Sequence, residues 1–204
     1  MIFKIIKIII LLNLFLINLS FSKNLLIDQN LKNLDGTYNA VIEIPAGSSI
    51  KYELTKNGDE ISEQIENGKI RLINYLPYPF NYGFIPQTVL PSENGGDGDA
   101  LDVIVLGPRV QKGTILKIKP LGTLISFDNN ETDSKVIAVS LNETGLSNIN
   151  NIRELEENYI GILDIIKTWI INYKGVSIEL KRVLNKSGTI DIIESYHQAY
   201  LKEK

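Results

Sequence analysis

No cysteine occurs among the 204 residues, and histidine occurs once, at His197. The first absence excludes disulfides, thiolate metal sites and a cysteine nucleophile. The second excludes a multi-histidine metal centre or a two-histidine mechanism. Oxygen donors remain for any metal chemistry. Basic charge is also sparse: 21 Lys and Arg stand against 24 Asp and Glu, a formal net charge of -3. A mildly acidic chain is poorly suited to nonspecific binding of nucleic acid or an anionic membrane, both of which rest on basic surface. There is no P-loop consensus, internal repeat or low-complexity tract. The expected partner is a small molecule.

The N-terminus carries the one long apolar stretch. Lys4 and Lys7 precede Ile8 to Phe21, and small residues alternate at Ser20-Phe21-Ser22. That order predicts a secretory signal peptide over 1–22, cut after Ser22, with 23–204 as a single domain. The alternative is an uncleaved membrane anchor, against which the apolar core is short for a bilayer span and contains Asn13 and Asn18; after cleavage no membrane contact is expected. Export to a periplasmic or extracellular space follows, and loss of Lys4 and Lys7 leaves a net charge of -5.

Periodicity predicts an α+β chain, mainly β. Strands are expected at Ala40 to Ile44, Ile50 to Leu54, near Lys69 to Ile73, Ile115 to Ile118, Thr123 to Phe127, Val136 to Val139 and Val176 to Val183. Leu76 to Pro86, dense in proline and aromatics, reads as a rigid irregular wall. Apolar residues from Ile152 to Tyr173 recur at three and four, predicting one amphipathic helix to about Asn172, stopped by Gly175. A closing helix is expected from Thr189, as N-cap, to about Lys202. His197 lies within it, in a packing or surface role.

The chemistry concentrates at Asp97-Gly98-Asp99-Ala100-Leu101-Asp102, which runs straight into the apolar Val103-Ile104-Val105-Leu106. Three carboxylates on a short loop pinned to a buried strand repel one another unless a cation offsets them. Hard divalent cations select such oxygen ligands. An EF-hand is excluded: counting from Asp97, Asp102 stands where glycine is needed and Pro108 where a bidentate glutamate should sit. Asp128 to Lys135 forms a second acidic loop, with Asp128 and Asp133 able to complete a metal cluster.

These residues resemble family I soluble inorganic pyrophosphatases, in an exported, bacterial-type form. Asp97 to Val103 matches that family's D-x-D-x-x-D-V signature. Further matches are Glu43-Ile44-Pro45, Lys51-Tyr52-Glu53, Tyr78-Pro79 with Asn81-Tyr82-Gly83, Asp128 with Asp133 and Lys135, and Tyr173-Lys174. The resemblance implies a five-stranded, partly closed OB-like barrel with flanking α-helices, and a homo-oligomer. It implies Mg²⁺-dependent hydrolysis of pyrophosphate to two phosphates by direct attack of a metal-bound water. It assigns Asp97, Asp102, Asp128 and Asp133 to several Mg²⁺ ions, Glu43 and Glu53 to their waters, and Asp99 to the catalytic proton. Lys51, Arg71, Tyr82, Tyr173 and Lys174 would grip phosphate oxygens, and Lys135 and Tyr78 would support the acidic loops. Arg71 precedes Tyr78 by seven residues where many members have eight, leaving Lys69 as the other candidate. Asn129 stands where an acid is common. The sequon Asn130-Glu131-Thr132 inside the metal loop favours a bacterial periplasm over a glycosylating route. Two other functions compete: a secreted non-catalytic protein binding calcium or phosphate, and an OB-fold nucleic-acid binder, which the acidic cleft disfavours.

Overall fold

In the computed structural model the described residues are 23–89, 98–128, 131–142, 145–175 and 178–203, with 128 and 131 described by backbone alone. The predicted signal peptide and Asp97 lie outside them.

Runs of Val, Ile and Leu build a ring of strands buried on both sides. β1 (Tyr38–Ile44) pairs with β6 (Asn81–Phe84), β6 with β7 (Asp102–Leu106), β7 with β9 (Glu131–Ser140) and β9 with β8 (Ile115–Asp128). β8 returns to β1 through Tyr38↔Ile118 to Val41↔Ile115, closing a five-stranded barrel. All contacts are antiparallel except β7 with β9. Closure leaves no long edge within the ring. The OB-like barrel expected from the resemblance is therefore present.

β8 serves two partners. Its first half closes on β1, and its second half pairs with β10 (Glu179–Leu184) through Thr123 to Phe127. The change of partner falls at Pro120 to Gly122, where the register against β9 shifts. Pro120 has no N–H for a ladder bond, which explains why two strands were predicted where one long strand runs. A Cβ at Gly122 would lie 2.2 Å from Ile152 Cγ1 and 2.7 Å from the Leu184 carbonyl oxygen, so only glycine fits the crossing.

Alternate residues of each strand feed two cores. Ile104, Leu106, Ile137 and Val139 meet α1 (Ile152–Asn158) and α2 (Ile162–Asn172) through Leu155, Leu163, Ile166 and Trp169. Val103, Val105, Val136 and Ala138 pack toward Ile193 and Tyr196 of α3 (Lys186–Glu203). Each such buried aliphatic side chain contributes about 1.5–3 kcal/mol by area. Both strand faces are thereby spent on packing, and chemistry is left to strand ends and loops.

Several predicted elements differ. The wall from Leu76 to Pro86 contains β6, a fully buried strand. Its prolines, Pro79 and Pro86, flank the ladder rather than interrupt it. Close approach at Gly83 lets β6 enter, since a Cβ there would stand 1.9 Å from the Val41 carbonyl oxygen. The single helix from Ile152 is two helices, because Gly161 adopts a left-handed conformation (φ 83°) between them. Periodicity had counted Tyr159, which sits at the break. The predicted second acidic loop is mostly a β8–β9 hairpin, paired to Asp128↔Glu131. The strand near Lys69 to Ile73 shrinks to a two-residue β5 (Lys69–Ile70), hairpinned to β4 (Ile65–Glu66) across Asn67 and Gly68, both at positive φ. Thr189 is inside α3, fully buried and bonded to Thr123. Asn185 instead accepts the Gly188 N–H, at 3.0 Å. His197 packs as expected, its Nδ1 2.7 Å from the Gln87 carbonyl oxygen.

Candidate active site

A cleft of about 450 Å³ opens at one end of the barrel. It collects side chains from most of the chain. Glu43 comes from β1. Lys51 and Glu53 come from the β2 segment (β2, Tyr52–Leu54, paired with β3, Ile61–Glu63). Arg71 follows β5, Tyr82 is on β6, Asp99 and Asp102 lead into β7, Asp133 and Lys135 are on β9, and Tyr173 and Lys174 follow α2. The acidic and basic candidates thus face one space. Lys69 belongs to the exposed hairpin and does not line the cleft, so Arg71 is the cation that reaches it.

The parallel pairing of β7 and β9 sets the centre. Asp102 is the register partner of Lys135, and Asp133 lies two residues earlier on the same face of β9. Lys135 Nζ donates to Asp102 Oδ2 at 2.8 Å and to Asp133 Oδ1 at 2.5 Å. The Tyr82 hydroxyl also donates to Asp102 Oδ2. Lys135 is 2% exposed. Burial works against its charge, but the two aspartates outweigh that cost and hold its proton affinity well above the ordinary lysine value. Burial likewise opposes ionisation of Asp102, and Lys135, Lys51 and the Tyr82 hydroxyl overcome it, lowering its carboxyl pKa. Tyr82 stays a phenol: burial and the neighbouring Asp102 push its pKa well up.

Two further observations describe the acidic side. Glu43 is buried, and its Oε1 accepts the Leu54 N–H at 2.8 Å, tying β1 to β2. Burial raises its pKa to about 7, against the pull of Lys51 and with the push of Asp102 and Asp99. Asp133 Oδ2 is buried without a hydrogen-bond partner, and Lys174 Nζ lies 4.0 Å from it. A buried carboxylate oxygen without a hydrogen-bond partner and a glutamate whose ionisation burial opposes are both oxygen groups that a bound cation would stabilise. Oxygen donors in that condition fit a hard divalent cation. Among the described residues no three carboxylates converge tightly enough to form such a site by themselves. Asp97 is outside the described residues, and Asp128 is described by backbone alone, as the last residue of β8, paired with Glu131.

The opposite wall is cationic and aromatic. Lys51 Nζ and Lys135 Nζ lie 5.5 and 5.6 Å from the Tyr82 ring centroid, within cation–π range. Behind Tyr82, the Trp169 and Tyr173 rings stack at 4.5 Å and 13°, and Tyr78 approaches Trp169 at 4.4 Å. Tyr78 is 1% exposed and does not line the cleft. It supports the ring stack from which Tyr173 reaches the site. Sequence reasoning missed Gln64, Thr55, Lys56 and Leu26, which also line the cleft. The only signal near Gln64 was the Asn67-Gly68 turn that folds its hairpin back.

Comparison with known proteins follows the same lines. A model of the family "Pyrophosphatase: Inorganic pyrophosphatase" matches residues 40–201. "Soluble inorganic pyrophosphatase 6, chloroplastic" of Arabidopsis thaliana is 35% identical over 153 residues, 69% of this chain and 50% of that protein. The inorganic pyrophosphatase of Saccharolobus solfataricus is 43% identical over 122 residues, 58% of this chain and 65% of that one. Among solved structures, type I inorganic pyrophosphatase from Toxoplasma gondii superposes with a TM-score of 0.84 at 25% identity, covering 89% of this chain and 88% of that one. The chain spans 35–66% of the length of the curated relatives it matches. With its matched region covering most of the barrel and every described cleft residue from Glu43 to Lys174, this chain belongs to the inorganic pyrophosphatase family.

Proposed function

We propose that the protein hydrolyses inorganic pyrophosphate to two phosphates, using Mg²⁺. One observation carries the reading: carboxylates and cations from segments far apart in sequence face each other across a single cleft of about 450 Å³. A compact polyanion needs its charge matched, and an attacking oxygen held in line, before a phosphoanhydride breaks. Lys51, Arg71, Tyr173 and Lys174 supply donors for phosphate oxygens and take up charge on the leaving side. Asp102 and Asp133, with Asp97 and Asp128, would hold the divalent cations, and Glu43 and Glu53 would accept from their hydration shells. When bound, those cations neutralise the diphosphate and lower the pKa of water toward neutrality. Asp99, on the loop just ahead of Asp102, accepts the proton of the attacking water. Lys135 and the Tyr82 hydroxyl keep Asp102 ionised and fixed in direction.

The test is phosphate release from pyrophosphate with Mg²⁺, for the wild type, Asp99→Asn and Asp102→Asn. Turnover should fall at least about a hundredfold in Asp99→Asn, the usual scale for losing an acid–base group, and should also be lost in Asp102→Asn through weakened cation binding. Cation binding without turnover would favour the non-catalytic alternative.

Export and assembly are proposed on separate grounds. The basic, apolar and small-residue order of 1–22 supports removal after Ser22 and recovery of phosphate from extracytoplasmic pyrophosphate. Finding the chain outside the cytoplasm with Lys23 at its N-terminus is the expected result; retention inside with an intact start would refute it. A homo-oligomer is proposed on the family resemblance alone, and light scattering would report it as a mass above that of one chain.

A further inference from the structure

Gln64 links two charged residues that line the cleft, Glu53 and Arg71. Its Nε2 donates to Glu53 Oε2 at 2.6 Å, and its Oε1 accepts from Arg71 Nη1 at 2.8 Å. Its backbone is tied to both neighbours: the Gln64 N–H donates to the Lys51 carbonyl at 2.9 Å, and the Arg71 N–H to the Gln64 carbonyl at 2.8 Å. The Ile65 to Ile70 excursion therefore leaves and returns at this residue pair. The amide orientation is fixed by chemistry, since a carboxylate can only accept and a guanidinium can only donate.

We propose that Gln64 is a positioning residue for pyrophosphate binding, holding Arg71 toward the phosphates while keeping Glu53 from capturing it. The proposal rests on the pyrophosphatase reading of the cleft. Placed in direct contact, Glu53 and Arg71 would form a bidentate ion pair and neutralise each other. The interposed carboxamide satisfies one carboxylate oxygen and one guanidinium nitrogen and leaves the opposite charges separated. A carboxamide donates through its nitrogen and accepts through its oxygen, as a bridge between a carboxylate and a guanidinium requires. An alanine at 64 would free both charged groups to collapse on each other, withdrawing Arg71 from substrate and Glu53 from the cation side. The hairpin thus acts on the cleft through its base rather than its tip.

The experiment compares wild type, Gln64→Ala, Arg71→Ala and the double variant. Each is scored by steady-state hydrolysis and by calorimetric binding of imidodiphosphate, a non-hydrolysable analogue, with Mg²⁺. Gln64→Ala should raise KM and weaken analogue binding by about tenfold, the scale of a lost hydrogen bond to a charged group, with kcat changed far less. If Gln64 acts through Arg71, the double variant should bind no worse than Arg71→Ala alone, so the two losses should not add. Unchanged melting temperatures separate this from unfolding. Additive losses, or analogue affinity unaltered in Gln64→Ala, would overturn the proposal. A wild type that binds the analogue yet does not hydrolyse pyrophosphate would sink the catalytic reading while the affinity cycle still scores Gln64. A wild type that does neither would sink both.

Discussion

Replacing Lys135 by methionine tests the electrostatic logic of the site. The substitution keeps most of the buried stem and removes only the ammonium. That ammonium is 2% exposed and holds Asp102 at 2.8 Å and Asp133 at 2.5 Å. Breaking a buried pair from one side costs about 3–5 kcal/mol, because the remaining charge is left without compensation. Both carboxylates border the cleft, with side-chain exposures of 32% and 17%, and water reaching them reduces the loss. The expected destabilisation is therefore at the low end, about 3 kcal/mol. With a urea m-value of about 2 kcal/mol/M, the unfolding midpoint falls by about 1.5 M.

The same substitution makes a second, opposite expectation. Without Lys135, Asp102 and Asp133 repel each other, and only a cation can relieve them. Millimolar MgCl₂ should then raise the midpoint of Lys135→Met more than that of the wild type, since a ligand bound only to the native state stabilises it by mass action. Urea titrations of both proteins, with EDTA and with MgCl₂, measure the two effects. A stability within about 0.5 kcal/mol of wild type in EDTA, a midpoint shift under about 0.25 M and the range of ordinary surface changes, would refute the picture of a charge-compensating lysine.

Other parts of the molecule give independent expectations. Gly83→Ala drives a Cβ to 1.9 Å from the Val41 carbonyl oxygen in the barrel wall, and should cost at least about 3 kcal/mol or prevent folding, as read by thermal unfolding. Thr123 Oγ1 donates to Thr189 Oγ1 at 2.8 Å in a buried setting. Thr189→Val should therefore cost about 1–3 kcal/mol, and adding Thr123→Val should return part of it by removing the stranded hydroxyl. Asp35 has its carboxyl pKa lowered from 3.8 to about 2 by the Thr37 hydroxyl, then Lys117. A depressed carboxyl contributes stability above its unfolded pKa and loses it as pH falls through the folded one. The stability gap between wild type and Asp35→Asn should accordingly be present above about pH 4 and close toward pH 2, in acid titrations followed by circular dichroism.

The identity of the cleft residues was legible because chemistry constrains type and neighbour together. Asp102 abuts an apolar run, Lys135 follows Asp133 by two, and Tyr173-Lys174 ends a helix. Each pattern survives translation into space because strand register and helix ends are short-range. Architecture was less legible where one residue carries a tertiary role. Gly83 looks like a turn glycine beside Pro79 and Pro86, yet it is the position where two barrel strands touch most closely. Gly161 lies within an unbroken apolar periodicity, and nothing local announces its left-handed conformation. Gln64 was invisible for a different reason. A glutamine in a short polar stretch looks solvated, and its role exists only because the hairpin returns Arg71 beside it.

A common physical arrangement links these positions. The barrel spends both faces of its strands on packing, so charged groups collect toward strand ends, at Glu43 and Asp102 and near the start of β9. Opposite charges gathered at one rim would neutralise each other into ion pairs and leave nothing for a ligand. Three placements act against that. Lys135 is buried deeply enough to serve two aspartates without reaching further. The Tyr82 ring lies within cation–π range of both Lys51 and Lys135. Gln64 separates Glu53 from Arg71. Among the described residues Lys51 and Arg71 make no direct ion pair with a carboxylate and Asp133 Oδ2 has no hydrogen-bond partner, so cationic donors and a carboxylate acceptor stay available on the same cleft.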